Sequence, residues 1–340
     1  MNPRLLAIAR ATPEKRYTQA ELYQHSPWEP TPLLDRLFLD SPIAARSLFV
    51  PPDFYLRPRT LSETNAAWRE GALLIGRAAL ADAIAAADLV PRDVDLVAVT
   101  SVTGYTTPGL DLLLARDLGL RDDIARAHFN NIGCHAAIPL LKVAADHCGR
   151  RPGSHAAALA VEICSACFAA DPDPQNLVAL ALFGDGAACA IVGTDGDGPE
   201  LVAFGAVYDY EHIDALGFSL TASGFRIVLD PSIPSHIAAS VERAVDELLA
   251  KADVRRDQVS TWCFHPGGSR ILDEVARRLG LDERAMAPSR RVLRDQGNMS
   301  SPSVLFVLAE AMAEAPPPGS YGVMAAFGPG LGIETALLRF

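Results

Sequence analysis

Short apolar runs, many of them rich in β-branched residues, alternate along the chain with long Ala/Leu-rich stretches of helical period. The first pattern predicts strands over Leu96–Ser101, Ala157–Ile163, Val178–Phe183, Ala187–Gly193, Val259–His265, Tyr321–Phe327 and Gly332–Arg339. The second predicts helices over Asn65–Asp88, Leu110–Leu118, Cys134–Cys148, Pro234–Lys251, Ser269–Leu279 and Ser300–Glu314. Asp/Pro, Gly/Asp and Pro/Gly clusters at 171–174, 193–198 and 316–319 mark loops between them. Strands interleaved with helices imply an α/β layered fold.

The pattern also repeats. One strand ends at Ser101 and Asn131-Ile132-Gly133-Cys134 then opens a helix; a second strand ends at His265 and Gln296-Gly297-Asn298 opens another. Ser101 and His265, like Cys134 and Asn298, stand 164 residues apart. Each half closes on a Phe-Gly-x-Gly turn, at Phe183–Gly186 and at Phe327–Gly330. Constant offset and matching order imply two copies of one unit, residues 1–200 carrying the cysteine and 201–340 carrying the histidine and asparagine. A two-copy fold places its site between the copies.

Composition narrows the function classes. The 340 residues include 30 basic and 41 acidic side chains, for a net charge of −11, and 49% are hydrophobic. Disorder, collagen and a disulfide scaffold are excluded. Nucleic acid is disfavoured as a partner, because no basic footprint exists to meet phosphates. Lys15, Lys142 and Lys251 are the only lysines, so an anionic ligand would have to be held by arginine or backbone amides. The start of the chain lacks the uninterrupted apolar region of a signal peptide, and the longest apolar run, 156–170, is broken by Glu162. Six cysteines scattered over this length complete the expectation of a reduced, cytoplasmic protein with no membrane association.

Candidate chemistry sits at the junctions. Cys134 follows Gly133 where a strand gives way to a helix, so the helix dipole and free N–H groups are expected to lower its pKa. His265 ends an apolar strand before Pro266-Gly267-Gly268, a tight turn that exposes it. Asn298 lies in Gly297-Asn298-Met299-Ser300-Ser301, at a predicted helix start. Singly, these read as a buried structural cysteine, a hydrogen-bonded core histidine and an N-cap. Together they are the parts for thiolate acyl transfer. Cys164-x-x-Cys167 has the spacing of half a zinc site, but no second pair accompanies it, and no metal is expected there.

Several motifs in order make the chain resemble a type III polyketide synthase, the chalcone-synthase-like branch of the thiolase superfamily. They are Thr107-Pro-Gly-Leu-Asp111, Gly133-Cys134, Ala181-Leu-Phe-Gly-Asp-Gly-Ala-Ala188, Phe264-His-Pro-Gly-Gly268, Gly297-Asn-Met-Ser-Ser301 and Phe327-Gly-Pro-Gly-Leu-Gly-Ile-Glu-Thr335. The resemblance implies a duplicated, thiolase-like αβαβα fold and a catalytic triad of Cys134, His265 and Asn298. It implies that Cys134 holds an acyl starter and that His265 and Asn298 polarise malonyl-CoA. Loss of CO₂ then supplies the attacking carbanion without a cofactor, and repetition and cyclisation follow.

The same resemblance implies further site residues. Phe183 is implied to gate the cavity, with Ile227 or neighbouring Phe225 as a second gate. Cys164 and Cys167, at a strand end, are implied to line it. Gly267, Gly268 and the Phe327-Gly328-Pro329 loop are implied to border it. Thr107 is implied to reach a neighbouring subunit, hence a homodimer. Of the basic residues that greet CoA phosphates in such enzymes, only Arg46 has a clear counterpart, with Arg36 and Arg57 at the edges. That scarcity leaves an acyl carrier protein open as the starter's donor. Two other readings remain: a priming β-ketoacyl synthase performing one carrier-dependent condensation, and a catalytically silent scaffold.

Overall fold

The computed structural model describes residues 2–168, 171–222 and 224–340. Nine strands form one mixed sheet: β1 (Arg4–Ala11), β2 (Val94–Thr100), β3 (Ala125–Phe129), β4 (His155–Ile163), β5 (Asp185–Gly193), β6 (Glu200–Tyr208), β7 (Val259–Phe264), β8 (Tyr321–Gly328) and β9 (Gly332–Arg339). Their order is β7-β8-β9-β6-β1-β5-β4-β2-β3. Read outward from the β6/β1 seam, the two arms repeat one design. In each, a helix joins a parallel pair of strands: Ala137–Arg150 lies between β2 and β4, and Ser303–Ala313 between β7 and β8.

The pleat sorts side chains into layers. On β4, Ala156, Ala158 and Ala160 join a central core with helices Ala137–Arg150 and Ser303–Ala313, while Ala157, Leu159 and Val161 face helix Leu61–Ala86. On β8, Met324 and Ala326 enter the central core, whereas Val323, Ala325 and Phe327 face the opposite layer with helix Ile233–Ala250. Two helices in the middle, sheet arms on either side and helices outside give the five-layered thiolase-like arrangement. Coverage on both faces explains why β4 and β5 are continuously apolar rather than alternating. No helix among the described residues is long and apolar enough to cross a membrane.

The structure departs from the sequence pattern in places. Val178–Phe183, expected as a strand, lies in helix Pro174–Leu182, whose Asp173 cap accepts the Gln175 N–H at 3.0 Å and whose Pro174 fills the first turn. Cys164–Cys167 form one short helical turn beyond the end of β4 rather than part of the strand. The helix after Cys134 begins only at Ala137, so Pro139 falls within its first turn, where its missing N–H costs no intrahelical bond. The helix after Asn298 begins at Ser303.

Candidate active site

Backbone pairing joins Asn298 to the turn that carries Phe183. The Asn298 N–H donates to the Leu182 carbonyl at 3.0 Å, and the Gly184 N–H donates back to the Asn298 carbonyl at 2.9 Å. The turn from helix Pro174–Leu182 through Phe183 is thereby stitched to the Gly297–Ser301 loop. Gly297 makes the stitch possible: its φ is 70°, and a Cβ there would lie 2.7 Å from the Leu182 carbonyl oxygen. His265 continues β7, donating its N–H to the Ala325 carbonyl at 2.9 Å, and Gly267 packs beside its ring.

The Asn298 side chain is oriented by its neighbours. The Ser300 N–H donates to Oδ1 at 2.8 Å, which leaves Nδ2 as the outward end of the amide. Nδ2 spends one hydrogen on a long, 3.4 Å contact to the Gly267 carbonyl, two residues from His265. The other hydrogen is available to an acceptor. Ser300 also faces the nucleophile: its hydroxyl has no full hydrogen bond, yet lies close enough to the Cys134 sulfur to favour the thiolate.

Cys134 does not have the low-pKa environment expected from its position. It precedes the first residue of its helix by three positions and is only 7% exposed, so burial outweighs the dipole and pushes the thiol up to about 12. Burial acts oppositely on His265, taking the imidazole down to about 3 with neighbouring His135 adding to the shift. Burial therefore favours the neutral form of both Cys134 and His265. In His265→Gln protein, alkylation of Cys134 should be slow at pH 7 and climb about tenfold per pH unit to pH 10, as the thiolate fraction of a high-pKa thiol does. A rate flat with pH in that variant, measured by iodoacetamide labelling and mass spectrometry, would show that burial does not set the thiol's pKa.

Apolar walls complete the site. Cys134, Cys164, Cys167, Phe168, Phe183 and Ile227 form one buried cluster, with Phe218 and Phe225 packed against it. Phe168 meets Phe183 at 5.3 Å and Phe218 at 5.9 Å between ring centroids. A cavity of about 40 Å³ runs from exposed His25 and Pro27 to Cys164, Phe168 and Phe183. Cys164, Cys167, Phe183, Ile227 and Phe225 therefore pack around Cys134. Thr107 does not: it is exposed, its hydroxyl donating to Tyr105 at 2.9 Å. Gly268 caps helix Ser269–Leu279.

Two expectations need correction. Arg46 is 1% exposed and does not greet substrate phosphates. Its Nε donates to Gln19 at 3.0 Å, and Nη1 donates to the carbonyls of Leu180 at 2.7 Å and Phe183 at 2.5 Å. It pins the turn behind Phe183. Arg46→Met should cost about 2–4 kcal/mol of stability by orphaning these acceptors, with no change in the KM for CoA thioesters; a raised KM at unchanged stability would restore the phosphate role. Of the arginines at its edges, Arg57 pairs with Glu63 at 2.6 Å, while Arg36 is exposed.

The Phe327–Pro329 loop is likewise a support rather than a lining. Phe327 faces the outer layer, Gly328 lies hard against the His135 ring, and Pro329 abuts Gly133 so closely that a Cβ there would meet its ring at 2.5 Å. The loop buttresses the turn that carries Cys134.

Glu162 was missed as a site residue, because in sequence it only interrupts an apolar run. It is fully buried, and one oxygen accepts from Ser101, from the N–H groups of Val102 and Thr103, and from the Thr103 hydroxyl at 2.7–3.2 Å. The other accepts from Ser301 at 2.6 Å. Burial raises its pKa and these donors oppose the shift. A glutamate inside an otherwise unbroken strand was the available signal.

Cys134, His265 and Asn298 are all buried within a thiolase-like fold. Family models described as the chalcone and stilbene synthase N-terminal and C-terminal domains match residues 60–196 and 210–340. The 1,3,6,8-tetrahydroxynaphthalene synthase of Streptomyces peucetius subsp. caesius is 36% identical, covering 98% of this chain and 92% of the relative. The 3,5-dihydroxyphenylacetyl-CoA synthase of Streptomyces toyocaensis is 32% identical, covering 99% and 90%. Among solved structures, 1,3,6,8-tetrahydroxynaphthalene synthase from Streptomyces coelicolor A3(2) superposes with a TM-score of 0.93 at 27% identity, covering 99% of each chain. The chain belongs to the chalcone and stilbene synthase family: it is a type III polyketide synthase, an acyltransferase that joins carbon to carbon by decarboxylative condensation. These relatives favour that reading over a single-condensation priming synthase.

Proposed function

We propose that this chain condenses malonyl-CoA iteratively onto a short starter held on Cys134, as a cytoplasmic homodimer, and releases a cyclised aromatic product. The observation that carries the assignment is the orientation of Asn298, whose Nδ2 is turned outward beside the His265 turn. Cys134 gives its proton to His265 as sulfur attacks the starter thioester and CoA departs. Asn298 Nδ2 and His265 then donate to the thioester oxygen of malonyl-CoA, stabilising the enolate left when CO₂ leaves. The enolate carbon attacks the acyl-Cys134 carbonyl and expels the thiolate, lengthening the chain by two carbons. Decarboxylation itself provides the carbanion, so we assign no metal or organic cofactor to this chemistry.

The phenylalanine cluster packed around Cys134 supports a short starter over a long fatty chain. A starter delivered by CoA accords with a relative named for a CoA thioester; an acyl carrier protein finds no support. Exposed Thr107 and Tyr105 support contact with a second subunit, and the six cysteines, all buried and unpaired, support a reducing compartment. We take the chain to divide near residue 200 into its two halves. Incubation with malonyl-CoA alone and with short, aromatic and long-chain acyl-CoA, followed by mass spectrometry, tests the assignment. Multiply extended aromatic products from short starters are expected; a lone β-ketoacyl product, or none, would refute it.

A further inference from the structure

Away from the nucleophile, three side chains that can ligate a metal converge where no catalytic step needs them. Asp209 follows the end of β6, His212 closes the single 3₁₀ turn Tyr210–His212, and His236 lies in the first turn of helix Ile233–Ala250. One ligand atom from each lies within 4.8 Å of the others, and all three residues are half-buried. The two imidazole rings are tilted by 34° with centroids 3.6 Å apart. Asp209 Oδ2 meets His212 Nδ1 at 2.9 Å, and the Asp230 carboxylate is close enough to feel both histidines.

We propose that Asp209, His212 and His236 form a structural binding site for a divalent transition metal, with Zn²⁺ the best match. Two imidazole nitrogens and one carboxylate oxygen suit zinc, leaving a fourth position for water or Asp230. Bonds of about 2.0–2.2 Å in tetrahedral geometry place ligand atoms roughly 3.4 Å apart. The observed limit of 4.8 Å closes to that by modest rotation of partly exposed side chains.

The placement gives the ion a task. Asp209 and His212 precede the hairpin formed by Leu216–Thr221 and Gly224–Leu229, and His236 follows it. That hairpin carries Phe218, Phe225 and Ile227, which belong to or pack against the apolar cluster around Cys134. A metal bridging both ends would clip the hairpin shut and hold that cluster in place, by the same loss of loop freedom that any cross-link imposes. The inference does not rest on the catalytic assignment.

Chelator-treated full-length protein, titrated with Zn²⁺ by calorimetry and with Co²⁺ by visible spectroscopy, tests it. Wild type is expected to bind one equivalent with micromolar or tighter affinity, to gain a few degrees in Tm at saturating Zn²⁺ and to give the intense bands of four-coordinate Co²⁺. His212→Ala/His236→Ala should weaken binding on the order of 100-fold and abolish the Tm gain, since removing even outer-shell partners costs 10–100-fold. Should that double variant fail to fold, Asp209→Asn, which keeps the side-chain volume, carries the test with a loss of about tenfold or more. Unchanged affinity in these variants, a thiolate charge-transfer band pointing to the cysteines, or no binding below millimolar Zn²⁺ would overturn the proposal.

Discussion

Cys134→Ala protein is expected to form no polyketide while still releasing CO₂ from malonyl-CoA. In the proposed mechanism, condensation needs the Cys134 sulfur as the acyl carrier. Cys164 and Cys167 share its cluster, but burial raises both thiols well above the ordinary range, whereas Ser300 opposes the shift at Cys134. Product formation should fall on the order of 10⁴-fold or more, as when a covalent nucleophile is removed elsewhere. In the proposed mechanism, decarboxylation depends instead on Asn298 and His265 as donors to the thioester oxygen. Its rate, followed as labelled CO₂, should stay within about tenfold of wild type. If CO₂ release collapses along with condensation, the separation of roles drawn from the geometry is wrong.

Asn298→Ala should show the complementary failure. The variant keeps Cys134, and starter transfer to it, read as a mass increase of the intact protein, should proceed normally. Removing one preorganised donor to a developing oxyanion costs about 10²–10³-fold, so both CO₂ release and chain extension should fall by that factor. Asn298→Asp should be no better, because a carboxylate cannot donate and would repel the enolate. Both changes also deprive the Ser300 N–H of its neutral amide partner, so thermal stability has to be measured alongside. Loss of starter loading in folded Asn298→Ala would mean that the residue positions Cys134 rather than polarising the extender.

The layered fold was legible because strands buried on both faces, such as β4 and β5, are continuously apolar and bounded by turn residues. Other elements hid for physical reasons. Helix Glu283–Gln296 is crowded with arginines and carries Pro288 inside it, so neither its period nor its propensity stands out. Central strand β1 begins at Arg4 and is interrupted by Arg10, so its short apolar stretch does not stand out. Helix Pro174–Leu182 is apolar over most of its length, and a short apolar run does not distinguish helix from strand, although Asp173-Pro174 was a start signal.

Within the site, the motifs pointed to Cys134, His265 and Asn298, but not to what surrounds them. Arg46 looked like a phosphate ligand because a charge in sequence carries no record of its burial. Glu162 and Ser300 could not be found from spacing, since their partners come from opposite ends of the chain. The thiol's pKa was misjudged because local helix geometry was visible and desolvation was not.

The Glu162 hub has an evolutionary consequence. Its carboxylate takes hydrogen bonds from Ser101, Val102 and Thr103 in the first half and from Ser301 in the second. Two copies of a gene product can drift apart freely only while each satisfies its own polar groups. Once a buried anion in one copy relies on a hydroxyl of the other, splitting the chain leaves a charge short of a donor and Ser301 short of an acceptor. Ser301 thus supplies to buried Glu162 a polar partner that water would otherwise have to provide.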